Sequence, residues 1–222
     1  MYDREKLKRE VLLYAVTDSR WCQGTRLEEQ IEKALKGGIS FLQLREKELS
    51  QKEFIEEGKR VLNLCRQYKV PLVINDDIEV AKIVGAEGVH LGQSDDSPAL
   101  ARKILGNDAI IGLSASTVEE AVSGRKQGAD YIGAGAVFHT ATKNNTRDLS
   151  EKALKSIVES INIPVVAIGG INENNMELLG NTGISGVALV SAVFSASDIE
   201  KKCRILKEKA EKIIGGSIKS EF

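Results

Sequence analysis

Cysteine is scarce in this 222-residue chain, and the three present, Cys22, Cys65 and Cys203, are isolated and odd in number. No C-x-x-C spacing occurs among them, so neither a disulfide framework nor a zinc site is indicated, and a reducing cytoplasm suits the chain. Charge of either sign is not in excess, because 31 basic residues face 32 acidic ones for a formal net charge of -1. Without a broad cationic field, nucleic acid and anionic membranes are excluded as expected partners, and an anion must be met by a local site. Long apolar runs are missing too. Residues 1–10 mix charges without an apolar segment and read as neither signal peptide nor membrane span, and no later run is long enough to cross a bilayer. Histidine occurs only twice, at His90 and His139, and neither has a serine or cysteine partner in a recognisable pattern, which disfavours triad hydrolysis. Finally, no G-x-G-x-x-G follows the first apolar run, which argues against an open dinucleotide-binding sheet.

What is present is a regular alternation. At 42% hydrophobic and 28% charged residues the composition is that of an ordinary globular protein. Continuous apolar runs of strand length recur at Val11–Val16, Ile39–Leu44, Pro71–Ile74, Gly88–Leu91, Ala109–Leu113, Asp130–Gly133, Ile163–Ile168 and Gly186–Val190. Between them the period shifts to that of a helix, with Leu27, Ile31, Ala34 and Leu35 on one face, then Phe54 to Cys65, Ile78 to Val84, and Leu100 to Leu105 behind an expected Ser97 cap and Pro98. Ser116-Thr117 ahead of Glu119-Glu120 resembles a capping box, and Leu149 to Ile161, Asn172 to Leu179 and Ile199 to Ile213 complete the series. Eight βα units in one chain require a parallel sheet, and eight is the number that closes a barrel. The expectation is a single (β/α)8 barrel over residues 1–222, with 1–10 as a short N-terminal helical extension across the barrel bottom and 215–222 as a frayed tail.

Barrels of this class carry function at the C-terminal ends of the strands. Polar groups do collect there: Gln43, Arg45, Glu46 and Lys47 after the second strand, Asn75, Asp76 and Asp77 after the third, Gln93, Asp95 and Asp96 after the fourth, and Ser114 after the fifth. After the sixth, Gly133-Ala-Gly-Ala-Val-Phe-His-Thr-Ala-Thr-Lys143 lets backbone approach a ligand and then offers the Thr140 and Thr142 hydroxyls and the Lys143 charge. Asp76 and Asp95, on adjacent strand ends, suit a magnesium ion that keeps waters and phosphate oxygens in its shell. An aspartate at the position of Asp76 also serves as an N-cap. Arg45, Lys47 and Lys143 around the same mouth suit a diphosphate. Across the rim, Gly169-Gly170 and Val190-Ser191 stand where such barrels bind a phosphate monoester through backbone N–H groups. Two anion sites of different character point to two substrates being joined. His90, inside an apolar run, reads as a barrel residue rather than a base.

At these residues the chain resembles the thiamine-phosphate synthase family. The resemblance runs from about Tyr14 to Ser195 through Tyr14-Ala-Val-Thr-Asp18, Gln43-Leu-Arg-Glu-Lys47, Ile74-Asn-Asp76, Gly88-Val-His-Leu-Gly-Gln-Ser-Asp95, Gly112-Leu-Ser114, Thr140-Ala-Thr-Lys143, Ala167-Ile-Gly-Gly-Ile171 and Val190-Ser191. It implies that Gln43, Leu44, Arg45, Glu46, Lys47, Asn75, Ser114 and Lys143 hold hydroxymethylpyrimidine diphosphate, with Arg45, Lys47, Lys143 and Ser114 serving catalysis. It implies Mg2+ on Asp76 and Asp95, and thiazole phosphate on Thr140, Ala141, Thr142, Gly170, Val190 and Ser191. One departure is His139, where the family usually has proline, and Asn144 to Arg147 lacks an expected glycine. The competing readings are a thiazole tautomerase of the same barrel, which uses a histidine where this chain has Ala136, a Schiff-base aldolase acting through Lys143, and a non-catalytic metabolite sensor, which has no use for paired metal ligands. The expected partners are small molecules, with a homo-oligomer left open.

Overall fold

Strands buried on both faces read as unbroken apolar runs, and the computed structural model forms eight of them. It describes residues 2–22, 24–139 and 149–215. The strands are β1 (Leu13–Val16), β2 (Phe41–Leu44), β3 (Leu72–Asn75), β4 (Gly88–Leu91), β5 (Ile110–Ala115), β6 (Tyr131–Gly135), β7 (Val165–Ile168) and β8 (Gly186–Leu189). Each pairs in parallel with its neighbour in chain order, and β8 returns to β1 with Ala188 opposite Tyr14, so the sheet is a closed barrel. The expected (β/α)8 fold is therefore the one adopted.

The helices are α1 (Arg4–Glu10), α2 (Leu27–Lys36), α3 (Gln51–Tyr68), α4 (Ile78–Val84), α5 (Pro98–Leu105), α6 (Val118–Lys126), α7 (Glu151–Ser160), α8 (Ser191–Phe194) and α9 (Ile199–Gly215). Local chemistry sets their starts. Ser97 accepts from the Leu100 N–H behind Pro98, as expected, while Ser50 and Glu53 form a reciprocal capping box on α3. On α6 the box is one residue wider than drawn from the sequence: Thr117 accepts from the Glu120 N–H, and the Glu120 carboxylate accepts from the Ser116 N–H at 2.6 Å. No helix among the described residues is long and apolar enough to cross a membrane.

The segment Asn172 to Leu179 departs from its expected helix. Only a single 3-10 turn, Met176–Leu179, forms there. The asparagines explain it: Asn175 Oδ1 accepts from the Asn172 N–H at 2.8 Å, and Asn172 Oδ1 from the Asn174 N–H at 2.9 Å. Side chains that satisfy nearby backbone in this way compete with the helical ladder.

Apolar burial divides into two layers. One lies inside the barrel, where Tyr14, Phe41 and Tyr131 meet edge to face with ring centroids 4.6–6.0 Å apart. Leu7 of α1 and Val11 join this layer, so the N-terminal helix plugs the bottom of the barrel. The other layer fills the space between strands and helices, for example Leu42 and Leu44 of β2 with Phe54, Val61 and Leu62 of α3. With its lower end closed by side chains, the barrel opens only where its strands end.

Candidate active site

Alternation along β2 decides which side chains reach that opening. Phe41 belongs to the interior layer and Leu42 and Leu44 to the outer one, so Gln43 points inward and Arg45, just beyond the strand, does the same. The cavity they enter encloses about 1060 Å3, open mouth included. Gln43, Arg45, Asn75, Ser114, Gly170, Val190 and Ser191 all line it, bringing seven of the sequence-predicted residues together from β2, β3, β5, β7 and β8.

Arg45 is held from behind. Its N–H donates to Thr17 Oγ1 at 2.8 Å, Thr17 N–H donates to the Gln43 carbonyl at 3.0 Å, and its guanidinium lies 3.8 Å from Asp18 Oδ2. Asp18 is 3% exposed and also accepts two bonds from Arg20 Nε, at 2.8 and 3.1 Å. Hydrogen bonding from Arg20, aided by the charge of Arg45, keeps the Asp18 carboxyl below its ordinary range despite burial. A buried carboxylate thus stands beside the Arg45 guanidinium. The role of Thr17 and Asp18 follows from the pairing of β1 with β2, which sets them beside Arg45.

The other residues of the β2 loop divide. Lys47 is exposed at the rim. Leu44 is fully buried against the helices and does not line the cavity. Glu46 is not part of the cavity wall: it lies near Ser19 and Glu57, and its Oε1 is buried without a partner. Burial, with Glu57 adding repulsion, pushes its pKa up to about 7.

At the end of β3, adjacent aspartates take different tasks. Asp77, not Asp76, caps α4, accepting from the Val80 N–H at 2.8 Å. Asp76 has a left-handed backbone with φ of 66°, and its N–H donates to the His90 carbonyl at 2.8 Å, tying the ends of β3 and β4 together. A non-glycine residue in that region carries strain, which is common at functional positions. Asp95, in the loop after β4, uses Oδ2 to accept from the Gly92 N–H at 2.6 Å. Both carboxylates are exposed. Among the described residues no cluster of three or more acidic, histidine or cysteine side chains is placed to hold a metal. Asp76 and Asp95, the expected metal ligands, are two hard oxygen donors that follow neighbouring strands, the donor type magnesium takes while retaining waters and substrate oxygens for most of its octahedron.

Across the opening, loop and glycine turn are packed together. Val137 and Phe138 N–H groups donate to the Ile168 and Gly169 carbonyls at 3.0 and 3.1 Å. Gly169 and Gly170 have φ of 101° and 65°, and a Cβ on Gly170 would lie 2.5 Å from the His139 carbonyl oxygen, so neither position admits a side chain. Asn175 Nδ2 donates to the Gly170 carbonyl at 2.9 Å and clamps the turn from outside. Thr140, Ala141, Thr142 and Lys143, together with Asn144 to Arg147, lie outside the described residues, as does the expected tail beyond residue 215.

His90 sits below the opening, 7% exposed, with Nδ1 2.9 Å from Tyr131 Oη and Nε2 3.0 Å from Ser114 Oγ. Tyr131 Oη is 2.8 Å from Tyr14 Oη, which is 2.5 Å from Gln43 Nε2. A chain of hydrogen bonds thus joins two ligand candidates, Gln43 of β2 and Ser114 of β5.

A protein-family model described as thiamine monophosphate synthase matches residues 13–193. The chain is 48% identical over 203 residues to a thiamine-phosphate synthase of Ruminiclostridium cellulolyticum, covering 91% of this chain and 97% of that protein. It is 44% identical over 194 residues to one from Clostridium tetani, covering 87% and 93%. Among solved structures, a thiamine phosphate pyrophosphorylase from Pyrococcus furiosus superposes with a TM-score of 0.87 at 39% identity, covering 94% of this chain and 100% of the other.

Proposed function

The chain belongs to the thiamine monophosphate synthase family of transferases, and from that membership we propose how its barrel opening joins the two halves of thiamine phosphate. The substrates are hydroxymethylpyrimidine diphosphate and a thiazole ethyl phosphate, and the products are thiamine phosphate and pyrophosphate. The observation that carries this reading is the convergence of Gln43, Arg45, Asn75 and Ser114 on one wall and Gly170, Val190 and Ser191 on the other, with Asp76 and Asp95 at the rim.

Gln43, Asn75 and Ser114 hold the pyrimidine side, with the backbone of the Leu44–Glu46 stretch beside them. Arg45 and Lys47, joined by Lys143, bind the diphosphate and stabilise the charge it gathers as the carbon–oxygen bond breaks. Asp18, itself held by hydrogen bonds from Arg20, keeps a negative charge beside Arg45 during that change. Asp76 and Asp95 hold Mg2+, which when bound supplies further neutralisation of the diphosphate. The electron-rich aminopyrimidine carries the positive charge left behind, and the thiazole nitrogen then forms the new bond. Gly170, Val190 and Ser191, with Thr140 to Thr142, anchor the thiazole phosphate so that this nitrogen meets the reacting carbon.

No protein nucleophile enters this sequence. Burial pushes the Cys65 and Cys203 thiols up to about 12, far from the thiolate form. The tautomerase and aldolase readings lose their ground, since the relatives are synthases and neither reading needs a paired-carboxylate rim. Three unpaired cysteines fit a reducing cytoplasm. The test is pyrophosphate release by Asp76→Ala plus Asp95→Ala across a magnesium titration. The double variant should lose its metal response, and an unchanged magnesium dependence would remove these two residues as ligands.

A further inference from the structure

The hydrogen-bonded chain beneath the opening has a direction. An amide nitrogen only donates, so Gln43 Nε2 donates to Tyr14 Oη, and the Tyr14 proton must then pass on to Tyr131 Oη. Burial drives both phenols well above their ordinary pKa, so each keeps its single proton. Tyr131 accordingly donates to His90 Nδ1. The remaining imidazole proton sits on Nε2 and is donated to Ser114 Oγ, which leaves the Ser114 hydroxyl proton for an acceptor in the cavity. A doubly protonated ring would set two donors against each other somewhere along the line.

We propose that Tyr14, Tyr131 and His90 are positioning residues that polarise this chain from Gln43 to Ser114 and present Ser114 to the substrate as a hydrogen-bond donor. The proposal rests on the reading of Ser114 as a ligand of the pyrimidine diphosphate. The complementary group is an acceptor, a heteroaromatic ring nitrogen or a phosphate oxygen. Packing has made room for the chain. His90, Gly112 and Tyr131 stand in register on β4, β5 and β6, and a Cβ on Gly112 would overlap Tyr131 and come within 2.5 Å of His90 Nδ1. Gly133, next above on β6, leaves the His90 ring its place, with a Cβ there only 3.1 Å from Cε1.

The chain has two histidines, so nitrogen NMR of the full-length protein labelled in its imidazoles, compared with His139→Asn, isolates His90. The expected spectrum has a proton on Nε2 and none on Nδ1, and a proton on Nδ1 would overturn the proposed polarity. Tyr131→Phe keeps the ring and cuts the link. It should release the tautomer and lower kcat/KM for the pyrimidine diphosphate about tenfold, the scale of one hydrogen bond, while leaving KM for thiazole phosphate unchanged. A folded Tyr131→Phe with wild-type kcat/KM and the wild-type tautomer would refute the positioning role. If that variant does not fold, Tyr14→Phe cuts the chain one bond earlier with the same expected outcomes. The nitrogen spectrum needs no turnover, so absence of coupling by the wild-type protein counts against the functional reading and is separable from the polarity of the chain.

Discussion

Asp76 and Asp77 are neighbours whose replacement should move stability and activity in opposite ways. Asp77 caps α4 through a 2.8 Å bond from Val80, and truncating such a cap costs about 1 kcal/mol. For a chain of this size, that lowers Tm by roughly 2–4 °C. Asp77→Ala should do this while leaving pyrophosphate release and its magnesium response intact. Asp76 has φ of 66°, a conformation costing an L-residue about 1–2 kcal/mol, with aspartate near the lower end. Glycine relieves that strain but gives back about 0.5–1 kcal/mol through its freer unfolded chain. Asp76→Gly should therefore have a Tm equal to wild type or a few degrees higher. With Asp76 in the proposed role of metal ligand, its activity should fall about 100-fold or more, since loss of that ligand removes several kcal/mol of transition-state stabilisation. Thermal unfolding by circular dichroism, run beside pyrophosphate release at several magnesium concentrations, measures both. An Asp76→Gly variant less stable than Asp77→Ala, with activity retained, would mean that Asp76 serves the fold rather than the reaction.

Other consequences follow from packing and ionisation. Gly112→Ala forces a methyl group between His90 and Tyr131 and should cost about 2–4 kcal/mol from overpacking and a lost hydrogen bond, read as a lower midpoint in urea with m unchanged. The Glu46 carboxyl has a folded-state pKa pushed up to about 7 from 4.5 by burial beside Glu57, so the folded chain binds more protons than the unfolded one across that window. Its contribution favours folding at the acid end and is lost as pH rises through 7. The Tm of Glu46→Gln relative to wild type should therefore increase from pH 5 to pH 8, and a constant difference would contradict the assignment. Cys65 and Cys203 should resist a thiol reagent until the protein unfolds, whereas the half-buried Cys22 should react first, though slowly, since burial and nearby carboxylates raise its pKa as well.

Much of the barrel is legible from pattern because its strands are buried on both faces and its helices on one. The bounds of α4 and β4 coincide with the apolar runs Ile78–Val84 and Gly88–Leu91, where Gly85 and Asp77 punctuate clearly. Pattern fails where a side chain competes with the backbone. The asparagines after β7 convert an expected helix into a single turn, and at the start of α4 the capping role falls to Asp77, one residue later than the position considered. Strand ends point to the residues lining the cavity, because inward parity follows from β2, β3 and β5 alone. What holds those residues could not be read in the same way. The Asp18 support of Arg45 needs β1 beside β2, and the Tyr14–Tyr131–His90 chain joins three strands that only closure of the barrel brings face to face. The burial of Glu46 is hidden for a related reason, since the sequence gives its place in the loop but not the pocket near Ser19 and Glu57 into which it turns.

The central claim is that this opening couples two phosphorylated substrates with departure of pyrophosphate. The direct measurement incubates the purified protein with hydroxymethylpyrimidine diphosphate, thiazole phosphate and magnesium, with a metal-free control, and quantifies both products. Equimolar, metal-dependent thiamine phosphate and pyrophosphate are predicted. A folded protein that forms neither product, or that releases pyrophosphate without forming thiamine phosphate, would contradict the account.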